Sequence, residues 1–416
     1  MSDGAEAARA AAERAARGSY GRLVAYLAAR TRDVAGAEDA LADAFAAALT
    51  QWPRDGTPAN PEAWLLTVAR RRLHDRARRQ ATATAATTDL RMLIEEAGSR
   101  AGPGELPDER LALMFACAHP AIEAGVRAPL MLQAILGFDA GMIASAFLVA
   151  PATMGQRLVR AKARVRQTGI PFAIPGREEL PERLDAVLEA IYATFTGGWV
   201  DPAGTDPRRR NLADEGIWLG RLVAQLMPQS AEALGLLALM LFAEARRGAR
   251  RDGDGAYVPL ARQDPARWDA ALIAEAEALL TRAGGMGSIG RFQLEAAVQS
   301  AHAARRGGGA PDFAAIAQLY EALWRMTGSP VAALNRAVAV AEAEGPAAGL
   351  AALARLGDDP RLATYQPWWA AKAELLARAG QTAAAAEAYD RAIGLESDPA
   401  VRDFLLERKA ALRFPS

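Results

Sequence analysis

The spacing of apolar residues constrains the fold of this chain more than any other feature of its sequence. Apolar residues recur at intervals of three and four positions over most of the length, whereas alternation of apolar and polar residues is scarce. The first spacing places apolar side chains on one face of a helix, and half-buried strands would require the second. The abundant alanine also favours helix. The sequence therefore predicts an all-α fold.

The length of 416 residues predicts two to four domains, because one ordinary core does not accommodate that many. Pro171, Pro175 and Pro181 mark one boundary, and a stretch rich first in Ala and Thr and then in Gly and Pro marks another. The predicted division is a helical module, a linker, a compact helical unit, a helical middle domain and helical repeats, at 5–79, 80–107, 108–170, 182–310 and 311–416.

The scarcity of reactive side chains argues against an enzyme. Cys117 is the only cysteine, so an intrachain disulfide and a cysteine-based zinc site are excluded. The three histidines lie far apart in the sequence, and no catalytic constellation accompanies them. We expect no catalytic residue, no metal and no cofactor. Cys117 and His119 are expected to serve as core or helix-end residues.

The apolar stretches are too short for a membrane protein. The first twenty residues carry acidic side chains throughout and no apolar stretch of the kind that a signal peptide has. The longest apolar run, from Ala233 to Ala243, is about half of what a membrane span needs. These observations predict a cytoplasmic protein without membrane contact.

A basic helix is predicted from Asn60 to Arg79. Asn60 can cap its first turn, and Pro61 suits the first helical position. On a helical wheel, one face is apolar and the opposite face is basic, the latter formed by Arg70, Arg71, His74 and Arg78. Trp64 lies near the start of the helix, where an aromatic ring can stack on an unpaired base. Taken alone, the same pattern also fits a solvated helix in an arginine-rich protein.

A second basic helix follows a shorter one between Asp139 and Gln167. The helix predicted over 139–147 is followed by a tight connection at Leu148–Pro151, which is the spacing of a helix-turn-helix. One face of the second helix carries side chains suited to base edges and phosphates, namely Thr153, Gln156, Arg157, Arg160 and Arg164. An ordinary helical hairpin is the alternative.

The two basic helices together are stronger evidence for nucleic-acid binding than either helix alone. The linker between them has 28 residues, counted from Gln80 to Pro107, and could extend to about 90 Å. Two turns of DNA span only about 70 Å. One chain could therefore contact two separated DNA elements.

The C-terminal part has a repetitive pattern. Residues 319–343 and 369–393 each read as helix, short turn and helix, and the dipeptides SP at 329 and DP at 359 and 398 recur at about one helix-pair length. The segment from Gly380 to Pro399 resembles a tetratricopeptide unit, with small residues at close-packing positions. A plain helical bundle remains the alternative.

These motifs resemble those of the extracytoplasmic-function sigma factors of bacterial RNA polymerase. The pattern NP-x-x-WL-x-x-VAR-x-R-x-x-D, from Asn60 to Asp75, is similar to the family's reader of the −10 promoter element. The sequence TMGQRLVRAKARVR, over 153–166, is similar to the recognition helix of its region 4. The order of the two modules, the proline boundary and the tail further resembles the sigma factor group with a C-terminal tetratricopeptide-like extension.

The resemblance implies a role for each group of residues. Glu38, Asp39 and Asp43 would bind the clamp helices of the polymerase β′ subunit, with Leu41, Phe45 and Leu49 facing the core. Asn60 and Trp64 would border the pocket for a flipped base, and the basic face of that helix would follow the melted strand. Region 4 would read the −35 element and contact the β flap. No bond chemistry would belong to this chain.

The resemblance leaves the role of the extension open, and two other functions compete. We expect the extension to regulate activity in cis or to bind a protein partner. A protein-interaction scaffold with a degenerate sigma module is one alternative, against which the intact arginine faces argue. A helix-turn-helix regulator that acts without polymerase is the other. Such a regulator has no need of the flipped-base signature at Asn60 and Trp64.

Overall fold

The computed structural model of the chain is built of helices. It describes residues 2–31, 34–58, 60–81, 109–136, 138–168, 175–199, 212–356 and 359–412. The chain is 79% helical, and within these ranges no strand is formed, so the predicted all-α fold is confirmed. The chain divides into two compact units, residues 1–222 and 223–416.

The first unit contains the two predicted basic helices. Its described α-helices are α1 (Ser2–Thr31), α2 (Val34–Asp55), α3 (Pro61–Ala81), α4 (Glu109–Cys117), α5 (Ala124–Ala134), α6 (Ala140–Ala146), α7 (Pro151–Thr168), α8 (Leu180–Trp199) and α9 (Leu212–Leu226), which crosses the division between the units. The segment 82–108, which holds most of the predicted linker, lies outside the described residues.

The first three helices pack against one another around an apolar seam. Leu27 of α1, Leu41 of α2 and Leu65 of α3 are all fully buried. The spacing of apolar residues along each helix forms one apolar stripe, and the neighbouring helices cover it. The side chain of Ser19 in α1 also donates a hydrogen bond to Glu62 at the start of α3. This seam fixes the outward direction of the opposite, basic face of α3.

The fourth to eighth helices form a second group that packs on the first. Helix α4 lies against α1, and α5 contacts α2, α4, α7 and α8. Arg183 of α8 is buried, donates to the carbonyl of Phe115 at 3.3 Å and pairs with Glu179 at 2.6 Å. Because α8 closes over α4 and α5, the residues just beyond the predicted proline boundary belong to the core of this unit.

The second unit is a succession of helices, each packed mainly on its neighbours along the chain. Its helices, after the end of α9, are α10 (Ala231–Ala245), α11 (Ala270–Gly284), α12 (Arg291–Ala303), α13 (Phe313–Thr327), α14 (Pro330–Glu344), α15 (Pro346–Ala354), α16 (Gln366–Arg378), α17 (Thr382–Leu395) and α18 (Pro399–Ala410). Such nearest-neighbour packing is typical of repeat architectures.

The longest apolar run of the sequence becomes a core helix. All but two residues of α10 are buried, because α11 and α12 both pack on it. A helix that is apolar all round requires such complete cover. Gly235 allows the close approach, since a Cβ there would lie 2.7 Å from the backbone nitrogen of Gln293.

Two of the recurring dipeptides begin helices. The side chain of Ser329 accepts a hydrogen bond from the Ala332 amide, and Pro330 is the first residue of α14. Asp398 caps α18 in the same way, ahead of Pro399. Both pairs combine a capping oxygen with a proline at a position whose amide needs no helical partner. The dipeptide at 359 differs, because no helix begins there and Asp359 instead binds Arg361.

Small residues of the segment from Gly380 to Pro399 lie in the core. Ala385, Ala388 and Ala392 are covered, and Tyr389 between them is 1% exposed. The Tyr389 hydroxyl donates to Glu374 of α16 at 2.9 Å. The same carboxylate receives Arg408 of α18 at 2.7 Å. Three successive helices are therefore joined at one carboxylate.

No single helix in the described part of the chain is long and apolar enough to cross a membrane. The bent pair formed by α6 and residues 151–163 meets the length and composition requirement together.

Candidate nucleic-acid interface

The start of α3 holds an aromatic pair beside a helix cap. The side-chain oxygen of Asn60 accepts a hydrogen bond from the Ala63 amide at 3.1 Å, as the sequence predicted for a capping residue. Trp64 packs edge-on against Trp52 of α2, with ring centroids 5.4 Å apart. Trp52 is 2% exposed, whereas Trp64 is half-buried. The buried indole thus holds the outer one in a fixed position at the helix start.

The basic face of α3 is exposed. Arg71 and His74 make no hydrogen bond or ion pair with any other described residue, so both remain available to an external anion. Arg70 differs, because it donates to the Tyr26 hydroxyl and its Cζ lies 4.8 Å from the centre of the Tyr26 ring. The side chain of Arg78 lies outside the described residues.

Three acidic side chains on α2 have two different environments. Asp39 and Asp43 are exposed, whereas Glu38 is half-buried. Burial, followed by the negative charges of Glu38 and Asp39, raises the pKa of Tyr20 to about 12. Tyr20 therefore stays neutral beside these carboxylates.

Of the three residues of α2 that were expected to face the core, Leu41 is buried and Phe45 stacks on Tyr20, but the prediction for Leu49 is wrong.

Leu49 is 51% exposed because α2 is covered only along one stripe. Helices α1 and α3 both pack on α2, and residues 41, 44, 48 and 52 lie beneath them. Position 49 falls beyond that stripe. The helical wheel gives the direction of a side chain, whereas its burial depends on whether a neighbouring helix packs on that side.

Helices α6 and α7 are joined by four residues and bent by 109°. Asp139 caps α6 by accepting from the Met142 amide at 2.9 Å. The connection turns at Leu148, whose φ of 51° is in the left-handed region. A crossing of this size lies within the range typical of helix-turn-helix motifs.

The two faces of α7 differ as the sequence predicted. Met154 and Leu158 are buried, whereas the polar face is largely open. On that face Thr153 is half-buried and three residues are exposed, namely Gln156, Arg157 and Arg160. The side chain of Arg164 lies outside the described residues.

An ion pair connects the two groups of helices. Lys162 of α7 donates to the Glu38 carboxylate of α2 at 2.5 Å, although 124 positions separate the two residues. The side chains are only 22% and 13% exposed. One predicted polymerase-binding carboxylate is thus held by a cation of the predicted −35 reading helix.

Cys117 and His119 serve as core and helix-end residues, as expected. Burial, followed by the charge of Glu38, raises the pKa of the Cys117 thiol. The His119 ring nitrogen Nδ1 accepts from the Ala121 amide at 3.1 Å. Burial, followed by the cation of Arg183, lowers the pKa of His119. Within the described part of the chain, no group of three or more His, Cys, Asp or Glu side chains could hold a metal ion.

Sequence reasoning missed three residues at this interface. Tyr26 and Trp52 support Arg70 and Trp64, and Lys162 pairs with Glu38. The pattern of α7 shows Lys162 only as one more cation in a basic run. Each of these contacts joins residues on different helices, so no spacing along the chain identifies them.

The comparisons with known proteins define the class of this interface. Residues 17–82, from within α1 to one position past the end of α3, match Sigma-70 region 2. This domain indicates a sigma-factor-like role in the binding of core RNA polymerase and promoter DNA and in transcription initiation. Residues 183–284 match a family of unknown function, DUF6596.

The relationship extends over most of the chain. An uncharacterized protein of Rhizobium meliloti (strain 1021) is 39% identical over 385 residues, which are 91% of this chain and 90% of the relative. The chain belongs to the same family as that protein. No solved structure matches the chain significantly.

Proposed function

We propose that the chain is a cytoplasmic sigma factor of the extracytoplasmic-function kind, which reads both promoter elements and leaves all bond chemistry to the polymerase. The observation that carries the proposal is the open basic face of α3 within a Sigma-70 region 2 match. The exposed acids on α2, Asp39 and Asp43, are the proposed contact with the clamp helices of the β′ subunit.

The start of α3 would hold an unpaired base of the −10 element. Trp64 presents a ring at the helix start, with Trp52 behind it and the Asn60 cap beside it. Stacking of a base on such a ring contributes about 1–3 kcal/mol. Arg71 and His74, farther along the same helix, would bind the phosphates of the melted strand.

Helix α7 would read the −35 duplex. Its exposed face combines Gln156, whose amide suits adenine, with two arginines suited to guanine or phosphate, namely Arg157 and Arg160. The 109° bend to α6 supports a helix-turn-helix role, because this geometry allows the second helix to enter the major groove. The β flap would contact the same module.

Binding of polymerase would compete with the ion pair between α2 and α7. Glu38 cannot serve Lys162 and the clamp helices at once, and the packing of α4 on α1 keeps the two modules together. We therefore infer that the modules separate when the chain spans a promoter. The C-terminal helices, proposed to form a tetratricopeptide-like array, would regulate this step or hold a protein partner.

Transcription with purified bacterial core polymerase tests the proposal. The full chain should bind core and start transcripts from a promoter library, and Arg71→Glu should lose most of that activity. Arg54→Glu is the matched control, because Arg54 is exposed in the last turn of α2 and does not belong to the basic face of α3. The proposal is refuted if the full chain binds no core polymerase, and an interaction scaffold then becomes the leading interpretation.

A further inference from the structure

The second unit contains a group of cationic side chains that promoter recognition does not use. We name Arg246, Arg250 and Arg305 the arginine cluster. Arg246 directly follows the end of α10 and is 8% exposed. Burial of a guanidinium to this degree is rare without a carboxylate partner. The contacts of Arg246 therefore decide what the cluster requires.

All hydrogen bonds of Arg246 within the described residues go to neutral acceptors. Its Nε donates to the carbonyl of Phe242 at 3.4 Å, and its Nη2 donates to the side-chain oxygen of Gln299 on α12. Its Nη1 has no acceptor among the described residues. Burial, followed by the cation of Arg250, lowers the pKa of Arg246 to about 10. The main charged neighbours behind that shift are the cations of Arg250 and Arg305.

The neighbouring histidine experiences the same excess of positive charge. His302 lies one turn beyond Gln299 on α12, and its ring packs edge-on against Phe313 at 6.2 Å. Burial, followed by the cations of Arg246 and Arg305, lowers the pKa of His302 to about 4. His302 is therefore neutral near pH 7 and does not offset the arginines.

Trp268 adds a buried donor beside the cluster. The Asp269 amide donates to the carbonyl of Ala245 at 2.9 Å, which places Trp268 next to the end of α10. The Cζ of Arg305 lies 5.4 Å from the centre of the Trp268 ring. Trp268 is 2% exposed, and its Nε1 has no hydrogen-bond acceptor within the described part of the chain. A buried indole N–H without an acceptor costs free energy.

We propose that the arginine cluster and Trp268 bind an oxyanion, the carboxylate or phosphate group of a small ligand. A planar guanidinium and an indole N–H are donors that such a group accepts from. Arg305 already donates to the backbone carbonyls of Leu260, Ala261 and Gln263, so it would contribute its charge. An anion would neutralise the buried charge of Arg246 and accept from the remaining donors of Arg246 and Trp268. The low exposure of Arg246 favours a narrow anionic group over a broad macromolecular surface.

The nearby carboxylates are engaged elsewhere. The charge of Asp398 opposes the lowering of the Arg250 pKa by burial, but the Asp398 carboxylate forms its ion pair with Arg251. Burial, followed by the charge of Glu295, raises the pKa of Tyr320 near the cluster, but the Glu295 carboxylate forms an ion pair with Arg291 at 2.8 Å. Neither carboxylate is among the main causes of the pKa shift of Arg246. Among the described residues of the second unit, no carboxylate forms an ion pair or hydrogen bond with Arg246.

Binding can be measured without polymerase or DNA, so the outcome is independent of the proposed function. The full chain is titrated with sodium phosphate and, separately, with sodium acetate, each at an ionic strength balanced with sodium chloride. Calorimetric titration and thermal unfolding are the measurements. We expect one site per chain and a saturable rise in Tm of about 5–10 °C at a hundredfold excess over Kd.

Three variants make the test specific. Arg246→Gln should abolish the rise in Tm, and Arg306→Gln should retain it, because Arg306 is exposed and outside the cluster. Trp268→Phe keeps the ring and removes only the donor, so it should weaken binding about tenfold even if Arg246→Gln does not fold.

The outcomes separate the sources of the anion. A response to phosphate alone assigns a phosphate group, and a response to both salts includes carboxylates. Equal Tm values in phosphate, acetate and chloride would overturn the proposal. So would a response in Arg246→Gln, or a loss of similar size in Arg306→Gln. Undiminished binding by Trp268→Phe would remove the indole from the site.

Discussion

Replacement of Lys162 by methionine tests the contact between the two modules of the first unit. An exposed ion pair is worth about 0.2–1 kcal/mol, whereas loss of one partner from a buried pair costs about 3–5 kcal/mol. The side chains of Lys162 and Glu38 are 22% and 13% exposed, which places the pair between these limits. A charge-assisted hydrogen bond contributes about 1.5–3 kcal/mol, so we expect Lys162→Met to lower the free energy of unfolding by about 2 kcal/mol.

A double-mutant cycle isolates the pair from other effects of the substitution. Urea unfolding is measured for the full chain, Lys162→Met, Glu38→Gln and the combination of both. The coupling energy between the two positions should be about 1–2 kcal/mol. Arg160→Met is the control on the same helix, because Arg160 is exposed and, among the described residues, bonds only to the backbone of Gln156. It should leave the free energy of unfolding nearly unchanged.

The same variant should change binding to core polymerase. A loss of about 2 kcal/mol from the closed arrangement raises the open fraction up to roughly thirtyfold, since about 1.4 kcal/mol corresponds to a factor of ten. Lys162→Met should therefore bind core more tightly than the unchanged chain, while Glu38 remains present for the clamp helices. A coupling energy below about 0.3 kcal/mol would refute the ion pair. Strong coupling with unchanged polymerase affinity would refute the competition.

Three further predictions follow from single contacts. Folding lowers the pKa of His302 to about 4, so the unfolded chain binds more protons between about pH 4 and 6.5, and the unchanged protein loses roughly 3 kcal/mol of stability as the pH falls through this window. His302→Gln should remove this loss and flatten the dependence of stability on pH. An unchanged dependence of the urea unfolding midpoint on pH would contradict this. Cys117 should resist thiol reagents in the native chain, because burial raises its pKa and keeps it protonated; rapid labelling without denaturant would show that α4 is not packed as described. Tyr389→Phe should cost about 1 kcal/mol in urea unfolding by removing the hydrogen bond to Glu374, and a cost below a few tenths would mean that Arg408 alone satisfies that carboxylate.

Local rules made the helices and their caps predictable. Asn60 caps α3 as predicted, because a capping oxygen acts on amides two or three residues away. Asp139 was predicted as the first residue of a helix, and it caps α6, which begins one position later. The apolar and polar faces of α7 follow from the same short range, since residues three and four positions apart share a face. These features require only that each segment becomes a helix.

The partners of the site residues were beyond the reach of local rules. Glu38 was predicted to bind the clamp helices, and its partner within the chain, Lys162, was not predicted. Leu49 was predicted to face the core, yet it is half exposed. Both differences arise because a helical wheel gives the direction of a side chain without the position of the neighbouring helix.

The amino-acid sequence by itself determined the all-α class, the helix starts and the basic faces of α3 and α7. The tertiary structure alone decided which of these charges stay open and which are matched. Arg71 remains exposed, Lys162 is paired across 124 positions, and Arg246 is buried among neutral acceptors and other cations. The physical reason is range: helix formation depends on neighbours within about four residues, whereas the pairing of a charge depends on packing between distant segments.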